Sequence, residues 1–123
     1  MAEKSRIFGD EDVRQQILAE TNQMAIKKLG RKVKNYDDAI WKSARFDVVI
    51  KGNKAKFSQN EKLRAFLIST DDKILVEASP KDEVWGIGID EHSSEASCPR
   101  KWKGTNLLGF ALMEVRDKLR KQE

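Results

Sequence analysis

The stretch Ser79–Asp90, which reads SPKDEVWGIGID, constrains the fold of this chain more than any other. Its proline interrupts a helix arriving from upstream, because the ring disfavours the helical conformation of the preceding residue. Gly86 and Gly88 allow a sharp turn or the close approach of another group. Trp85 lies three residues after Asp82, so one loop offers a flat ring and a carboxylate. Two interpretations stay open, a ligand-binding loop and a structural turn with Trp85 in the core.

Much of the remaining chain shows helical periodicity bounded by capping residues. Apolar residues recur three and four positions apart, and Asp, Asn or Gly stands where helices would begin or end. These patterns predict five or six helices. Met1–Phe8 is interpreted as the end of a helix without a start signal, and the others begin at Asp10, Thr21 or Asn22, Asn35, Ser58, and Thr105 or Asn106. The helix from Asn35 either breaks at Gly52-Asn53 or continues to Phe57. Gly109 lies one turn into the last helix, where the missing side chain indicates a close neighbour.

One segment, Lys73–Glu77, is predicted to be a strand, because KILVE is aliphatic and lies between turn signals. A single strand cannot stand alone, since its backbone groups need partners. Either residues 84–89 pair with it, or its partners lie outside this chain. The predicted fold class is therefore α+β, predominantly helical with a small β-sheet.

Charge and cysteine content narrow the classes of protein. The 123 residues suit one domain, and 36% of them are charged with a net charge of +4. Charges interspersed in this way suit an anionic small ligand better than nucleic acid, which favours a clustered basic patch. The single cysteine, Cys98, favours a reducing compartment, and with one histidine a zinc site is not expected. We expect neither a signal peptide nor a membrane span.

Two polar segments admit a structural and a functional interpretation. Arg31–Lys34 follows a glycine and is either a solvated connector or a phosphate clamp, because guanidinium groups match phosphate oxygens. Glu91–Lys103 is predicted to be a surface loop without regular structure, which a ligand could order as a lid. His92 in that loop is expected to be solvated.

From Met1 to Leu119 the chain resembles the NADAR domain family, which includes the YbiA-like N-glycosidases. The order and spacing of several segments carry the resemblance, namely Met1–Lys4, Leu29–Arg31, Trp41, Lys56–Asn60, Leu67–Thr70, Leu75–Glu77, Ser79–Gly88 and Gly104–Arg116. The resemblance implies a YbiA-like fold and hydrolysis of an N-glycosidic bond to a ribose phosphate, without metal or cofactor. The implied substrates are phosphoribosylamino-pyrimidine intermediates of riboflavin synthesis, or ADP-ribose compounds that include ADP-ribose on guanine bases.

The resemblance also implies roles for particular residues. Departure of a base from ribose C1 creates oxocarbenium character, which a carboxylate can stabilise. The implied catalytic residue is Asp82. The implied substrate-binding residues are Trp85 for base stacking, Trp41 for the pocket wall, Lys4 and Arg31 for phosphate, Gly86 for close approach, and Asn106 for the loop or a ribose hydroxyl. A cytoplasmic protein that acts on small molecules is implied, with ADP-ribosylated nucleic acid as a further partner.

Two departures from the family pattern bear on activity. A Ser-x-Glu motif and strands precede the matching region in the family, whereas this sequence begins at Met1. An Asp that follows Trp-Gly in YbiA-like members is Ile87 here. We therefore expect residues 1–123 to be one NADAR domain that lacks its N-terminal part and has little glycosidase activity. The alternatives are a non-catalytic ADP-ribose-binding remnant, and an interaction module in which both Trp41 and Trp85 are core.

Overall fold

The computed structural model describes residues 1–122 of the chain. Over that range it contains six α-helices and two short 3₁₀ helices. The α-helices are α1 (Ala2–Ile7), α2 (Glu11–Ala19), α3 (Gln23–Gly30), α4 (Asp38–Ser58), α5 (Glu61–Ser69) and α6 (Leu107–Lys121). The chain divides into two compact units, the first spanning Met1–Arg45 and the second starting at Phe46, so that the boundary falls within α4.

In the first unit, polar side chains cap the short helices as the sequence predicts. The Asp10 carboxylate accepts a hydrogen bond from the Val13 amide at 3.2 Å and another from the Lys34 amide at 2.8 Å. The Asn22 side chain accepts from the Ala25 amide at 3.0 Å. The apolar faces of these helices meet in one cluster of buried residues, which consists of Phe8, Val13, Ile17 and Val33.

The predicted caps of the next two helices are each wrong by two residues. Asn35 adopts a left-handed conformation with φ 60°, and Asp37 caps α4 instead, accepting from the amides of residues 39 and 40. Asn60, rather than Ser58, caps α5. Each site offers two residues able to cap a helix, Asn35 and Asp37 at the first and Ser58 and Asn60 at the second, and the path of the backbone decides which of them reaches the free amides. Helix α4 continues through Gly52 without a break.

In the second unit, α4, α5 and α6 enclose an apolar core. Its buried members come from all three helices and are Ile50, Leu67, Ala111, Val115 and Leu119. Gly109 on α6 is buried, and a methyl group added to it would collide with the Leu75 carbonyl oxygen. The close neighbour predicted at this glycine is therefore confirmed.

The predicted α+β class with a small β-sheet is wrong, since residues 1–122 contain no strand. Lys73–Glu77 is irregular, and side chains of α6 and its cap take the place of a partner strand. Arg116 donates to the Lys73 carbonyl at 2.9 Å, while Asn106 donates to the Leu75 carbonyl and accepts from the Glu77 amide, both at 3.0 Å. These side chains therefore satisfy three backbone groups that would otherwise need a neighbouring strand.

The loop after residue 90 is more ordered than predicted. It contains two 3₁₀ helices, Ser94–Ser97 and Pro99–Lys101. The Trp102 indole donates to the Ala96 carbonyl at 2.9 Å and ties the two together. The His92 side chain is 86% exposed, which confirms that it is solvated.

Candidate functional site

The Trp85 loop, defined as Ser79–Asp90, is held from inside by the carboxylate of Asp82. Its Oδ1 accepts from the amides of Val84 at 3.0 Å and Trp85 at 2.8 Å. This arrangement is an Asx turn, in which a side chain fixes the backbone of the residues that follow it. Asp82 is half-buried. The structure therefore gives Asp82 a definite loop-fixing contact and places its carboxylate next to the backbone of the predicted stacking residue.

The glycines of the Trp85 loop allow other backbone atoms of the chain to approach closely. A Cβ atom added to Gly86 would lie 2.8 Å from the Glu77 carbonyl oxygen and 2.9 Å from that of Asp82. Gly88 has φ +69°, a conformation that favours glycine. Residues 86–89 are all buried, and Ile87 between the glycines is 0% exposed. The close approach predicted at Gly86 is thus made by the protein's own chain.

Asn106 joins the Trp85 loop to the segment before it. Its backbone amide donates to the Gly86 carbonyl at 2.9 Å, and its side chain binds the backbone of residues 75 and 77. Asn106 is 0% exposed and holds a left-handed conformation with φ 52°. Its side-chain oxygen and nitrogen therefore both bind backbone groups of the segment before the loop.

The side chain of Trp85 is half-buried. Its backbone is anchored on both sides, by the bond from its amide to Asp82 and by a bond from the Leu108 amide to its carbonyl at 3.1 Å. Among the described residues, neither apolar cluster includes Trp85. Trp85 thus has a fixed backbone and a partly exposed side chain, and a stacking platform requires both.

In the first unit, the ammonium group of Lys4 is surrounded by a carbonyl and two aromatic rings. Nζ donates to the Gly30 carbonyl at 2.8 Å and lies 4.6 Å from the centre of the Tyr36 ring and 5.9 Å from that of Trp41. We call Lys4, Tyr36 and Trp41 the Lys4 cluster. Desolvation lowers the pKa of Lys4. The structure therefore brings together two predicted site residues, Lys4 and Trp41.

Tyr36 is the member of the Lys4 cluster that sequence reasoning missed. Its hydroxyl donates to Asp38 at 2.8 Å, and this hydrogen bond raises the pKa of the phenol. No periodicity signals the contact, because Lys4 lies in α1 and Tyr36 lies in an irregular connector. The only sequence signal is an aromatic residue placed within a polar, charged stretch.

The remaining predicted residue, Arg31, is exposed and follows the last residue of α3. The predicted site residues fall into two groups, with Lys4, Arg31 and Trp41 in the first unit and Asp82, Trp85, Gly86 and Asn106 in the second.

In the part of the chain that the structure describes, no three His, Cys, Asp or Glu side chains come together as a metal ion would require. None of the helices described has the length and apolar character needed to cross a membrane.

Comparison with known proteins gives one family. The model of the NADAR domain matches residues 1–120. An N-glycosidase of Acanthamoeba polyphaga mimivirus is 44% identical over 117 residues, which cover 95% of this chain and 69% of that protein. Protein irg-1 of Caenorhabditis elegans is 42% identical over 121 residues, covering 97% of this chain and 57% of that protein. N-glycosidase YbiA of Escherichia coli is 35% identical over 112 residues, covering 91% of this chain and 63% of that protein.

Proposed function

Because this chain belongs to the NADAR domain family, we propose that it is an N-glycosidase domain that releases a base from a phosphoribosyl or ADP-ribosyl substrate. One observation carries the proposal: the family model covers residues 1–120, and relatives named N-glycosidases align with over nine-tenths of the chain. The chain spans 57 to 69% of the length of the three relatives described above, so its activity and substrate are proposals. We further propose that residues 1–123 act as one NADAR domain.

In this proposal Trp85 binds the base. A partly exposed indole on a backbone fixed at both sides loses little conformational entropy when a flat ring stacks on it. Base–aromatic stacking is worth about 1–3 kcal/mol. The substrate classes are pyrimidine intermediates of riboflavin synthesis and ADP-ribosylated guanine, and the latter would bring nucleic acid as a partner. With Cys98 unpaired, a reducing compartment such as the cytoplasm fits the proposal.

The phosphate of the substrate is assigned to Lys4 and Arg31. The Lys4 ammonium uses one hydrogen bond on Gly30, and an ammonium group has three N–H donors. Arg31 is exposed, and its guanidinium can bind two phosphate oxygens at once. Trp41 lies beside Lys4 and would form part of the pocket wall.

Asp82 is the proposed carboxylate for the developing positive charge at ribose C1. Its Oδ1 accepts two backbone hydrogen bonds, which hold the carboxylate in one orientation. An ionised carboxylate stabilises an oxocarbenium ion and does not act as a general acid. The proposal therefore gives Asp82 an electrostatic role, together with its role in holding the Trp85 loop.

A second candidate function is binding of an ADP-ribose-like ligand without turnover. A specific observation favours it, since the side chains of Asp82 and Asn106 both hold backbone groups of the Trp85 loop and the adjoining segment. A chain that uses these polar groups for its fold can retain the binding surface while lacking a free general acid.

Base release and ligand binding separate the two candidates. Incubation with a phosphoribosylamino-pyrimidine and with ADP-ribosyl-guanosine, followed by chromatography of the free base, tests the N-glycosidase. Calorimetric titration with ADP-ribose and ribose 5-phosphate tests binding. Release of base that Asp82→Asn reduces at least tenfold would support the first candidate. Binding without release would favour the second, and neither binding nor release would contradict both.

A further inference from the structure

Tyr36 has no role in the proposed function so far, yet its ring lies against the ammonium of Lys4. The separation of 4.6 Å between Nζ and the ring centre is well inside the distance at which a cation is attracted to an aromatic face. Trp41, at 5.9 Å, lies at the edge of that range. Tyr36 is therefore the main aromatic neighbour of this charge.

The ring of Tyr36 is itself held in place from two sides. Its hydroxyl donates to the Asp38 carboxylate at 2.8 Å. Its ring meets that of Phe8 at 5.3 Å between centres and 61° between planes, an edge-to-face geometry that aromatic pairs favour. Phe8 belongs to the buried cluster of the first unit. Because both ends of Tyr36 are anchored, its face is a fixed surface against which a long flexible side chain can rest.

The backbone carbonyl of Gly30 defines the other side of the ammonium. It lies 2.8 Å from Lys4 Nζ and belongs to the last residue of α3, where carbonyl groups carry partial negative charge. One N–H of the ammonium is therefore directed to Gly30, the ring covers another side, and the remaining donors are left for an anion. Tyr36 is 44% exposed and Lys4 is half-buried, so both side chains remain partly accessible to a ligand.

We propose that Tyr36 is a positioning residue that holds the Lys4 ammonium in the orientation in which it binds the phosphate of the ligand. The inference rests on the proposed function for the identity of the anion. Lysine has a flexible stem, and its side-chain entropy opposes binding unless a neighbour restricts it. A fixed aromatic face provides that restriction. Loss of the face should weaken phosphate binding through Lys4 alone, by about two- to fivefold.

The test compares Tyr36→Leu, Tyr36→Phe and Lys4→Gln, with Phe66→Leu as a control. Phe66 is an exposed aromatic in the second unit and controls for the loss of a surface ring. The dissociation constant of ribose 5-phosphate is measured by calorimetry for each variant and for the double variant of Tyr36→Leu with Lys4→Gln. We expect Tyr36→Leu to weaken the binding of ribose 5-phosphate two- to fivefold, and Tyr36→Phe to bind it as tightly as the unaltered chain. In the double variant, Tyr36→Leu should cause no loss beyond that of Lys4→Gln alone. An equal loss in the presence and absence of Lys4 would overturn the inference.

A second readout requires no ligand. The ε-methylene protons of Lys4 should resonate upfield in the NMR spectrum, because they lie over the face of an aromatic ring. This upfield shift should disappear in Tyr36→Leu and persist in Tyr36→Phe. If no ribose 5-phosphate binds to the unaltered protein, the proposed function fails, and the NMR shift still decides whether Tyr36 holds Lys4. A shift that Tyr36→Leu leaves unchanged would overturn the inference. Tyr36→Met serves the same purpose should the leucine variant not fold.

Discussion

In the Trp85 loop and the segment before it, the polar side chains of Asp82 and Asn106 bind backbone groups, whereas in the Lys4 cluster the rings and the ammonium group belong to side chains that remain partly exposed. Asp82 accepts hydrogen bonds from two amides of the loop, whereas Asn106 binds the loop through its backbone amide and the adjoining residues 75 and 77 through its side chain. The Lys4 ammonium uses one of its three N–H donors on Gly30, and its neighbour Tyr36 is 44% exposed to solvent. A change in the loop should therefore act mainly on stability, and a change in the Lys4 cluster mainly on affinity.

The largest expected effect is on the stability of the second unit. Asn106→Ala leaves the Leu75 carbonyl and the Glu77 amide, both in partly buried hydrogen bonds, without their partner, and it removes a fully buried polar side chain; each unsatisfied group costs about 1–3 kcal/mol. We expect the free energy of unfolding to fall by about 2–4 kcal/mol, measured by urea denaturation. The matched control is Asn53→Ala on α4, expected to change stability by less than about 0.5 kcal/mol.

Unchanged stability together with lost affinity would contradict the structural role of Asn106. If Asn106→Ala unfolds at the same urea concentration as the unaltered chain but loses affinity for ribose compounds, Asn106 contacts a ribose hydroxyl and does not hold the loop.

Two helical glycines test how closely the chain packs near the Trp85 loop. A methyl group at Gly109 would overlap the Leu75 carbonyl, whereas one at Gly52 would meet nothing within 4 Å. We expect Gly109→Ala to destabilise by about 1–3 kcal/mol through overpacking. Gly52→Ala should stabilise by up to about 1 kcal/mol, because alanine favours the helix. Thermal unfolding of both variants measures the difference, and equal behaviour would show that Gly109 does not need its small size.

Trp85 is the residue of the loop for which we predict an effect on binding. Trp85→Ala should weaken the binding of ADP-ribose by about 5- to 150-fold, the loss of one stacking contact, and Trp85→Phe should retain part of the affinity. Isothermal titration calorimetry gives both dissociation constants. If the alanine variant binds normally and only its melting temperature falls, Trp85 is a packing residue.

The smallest effect is expected at Arg31, an exposed residue whose interactions water weakens. Arg31→Gln should weaken the binding of ribose 5-phosphate by about two- to fivefold and leave the weaker binding of ribose unchanged. The neighbouring Lys32→Gln variant, which removes an equal charge, serves as the control for the general loss of positive charge. Equal losses for ribose and ribose 5-phosphate would show that Arg31 does not contact phosphate.

The sequence correctly predicted several features that depend on neighbours along the chain. Asp10 and Asn22 cap their helices, because the free amides lie within three residues of the capping side chain. The need for a small residue at Gly109 is visible as glycine inside a helical pattern. The sequence also identifies the family, because the order and spacing of several motifs are specific even though each motif alone carries little information.

Features that join distant residues were decided by the tertiary structure. KILVE has the composition of a strand, but Asn106 and Arg116 lie 29 to 43 positions away from the backbone groups they bind, and no local pattern indicates that side chains replace a partner strand. The Lys4 cluster likewise brings together a helix and a connector 32 residues apart. Local hydrogen bonds join residues that are close in the sequence, so the order of residues predicts them. The distant partner of a backbone group or of a partly buried charge depends on which segments the folded chain brings within a few ångströms.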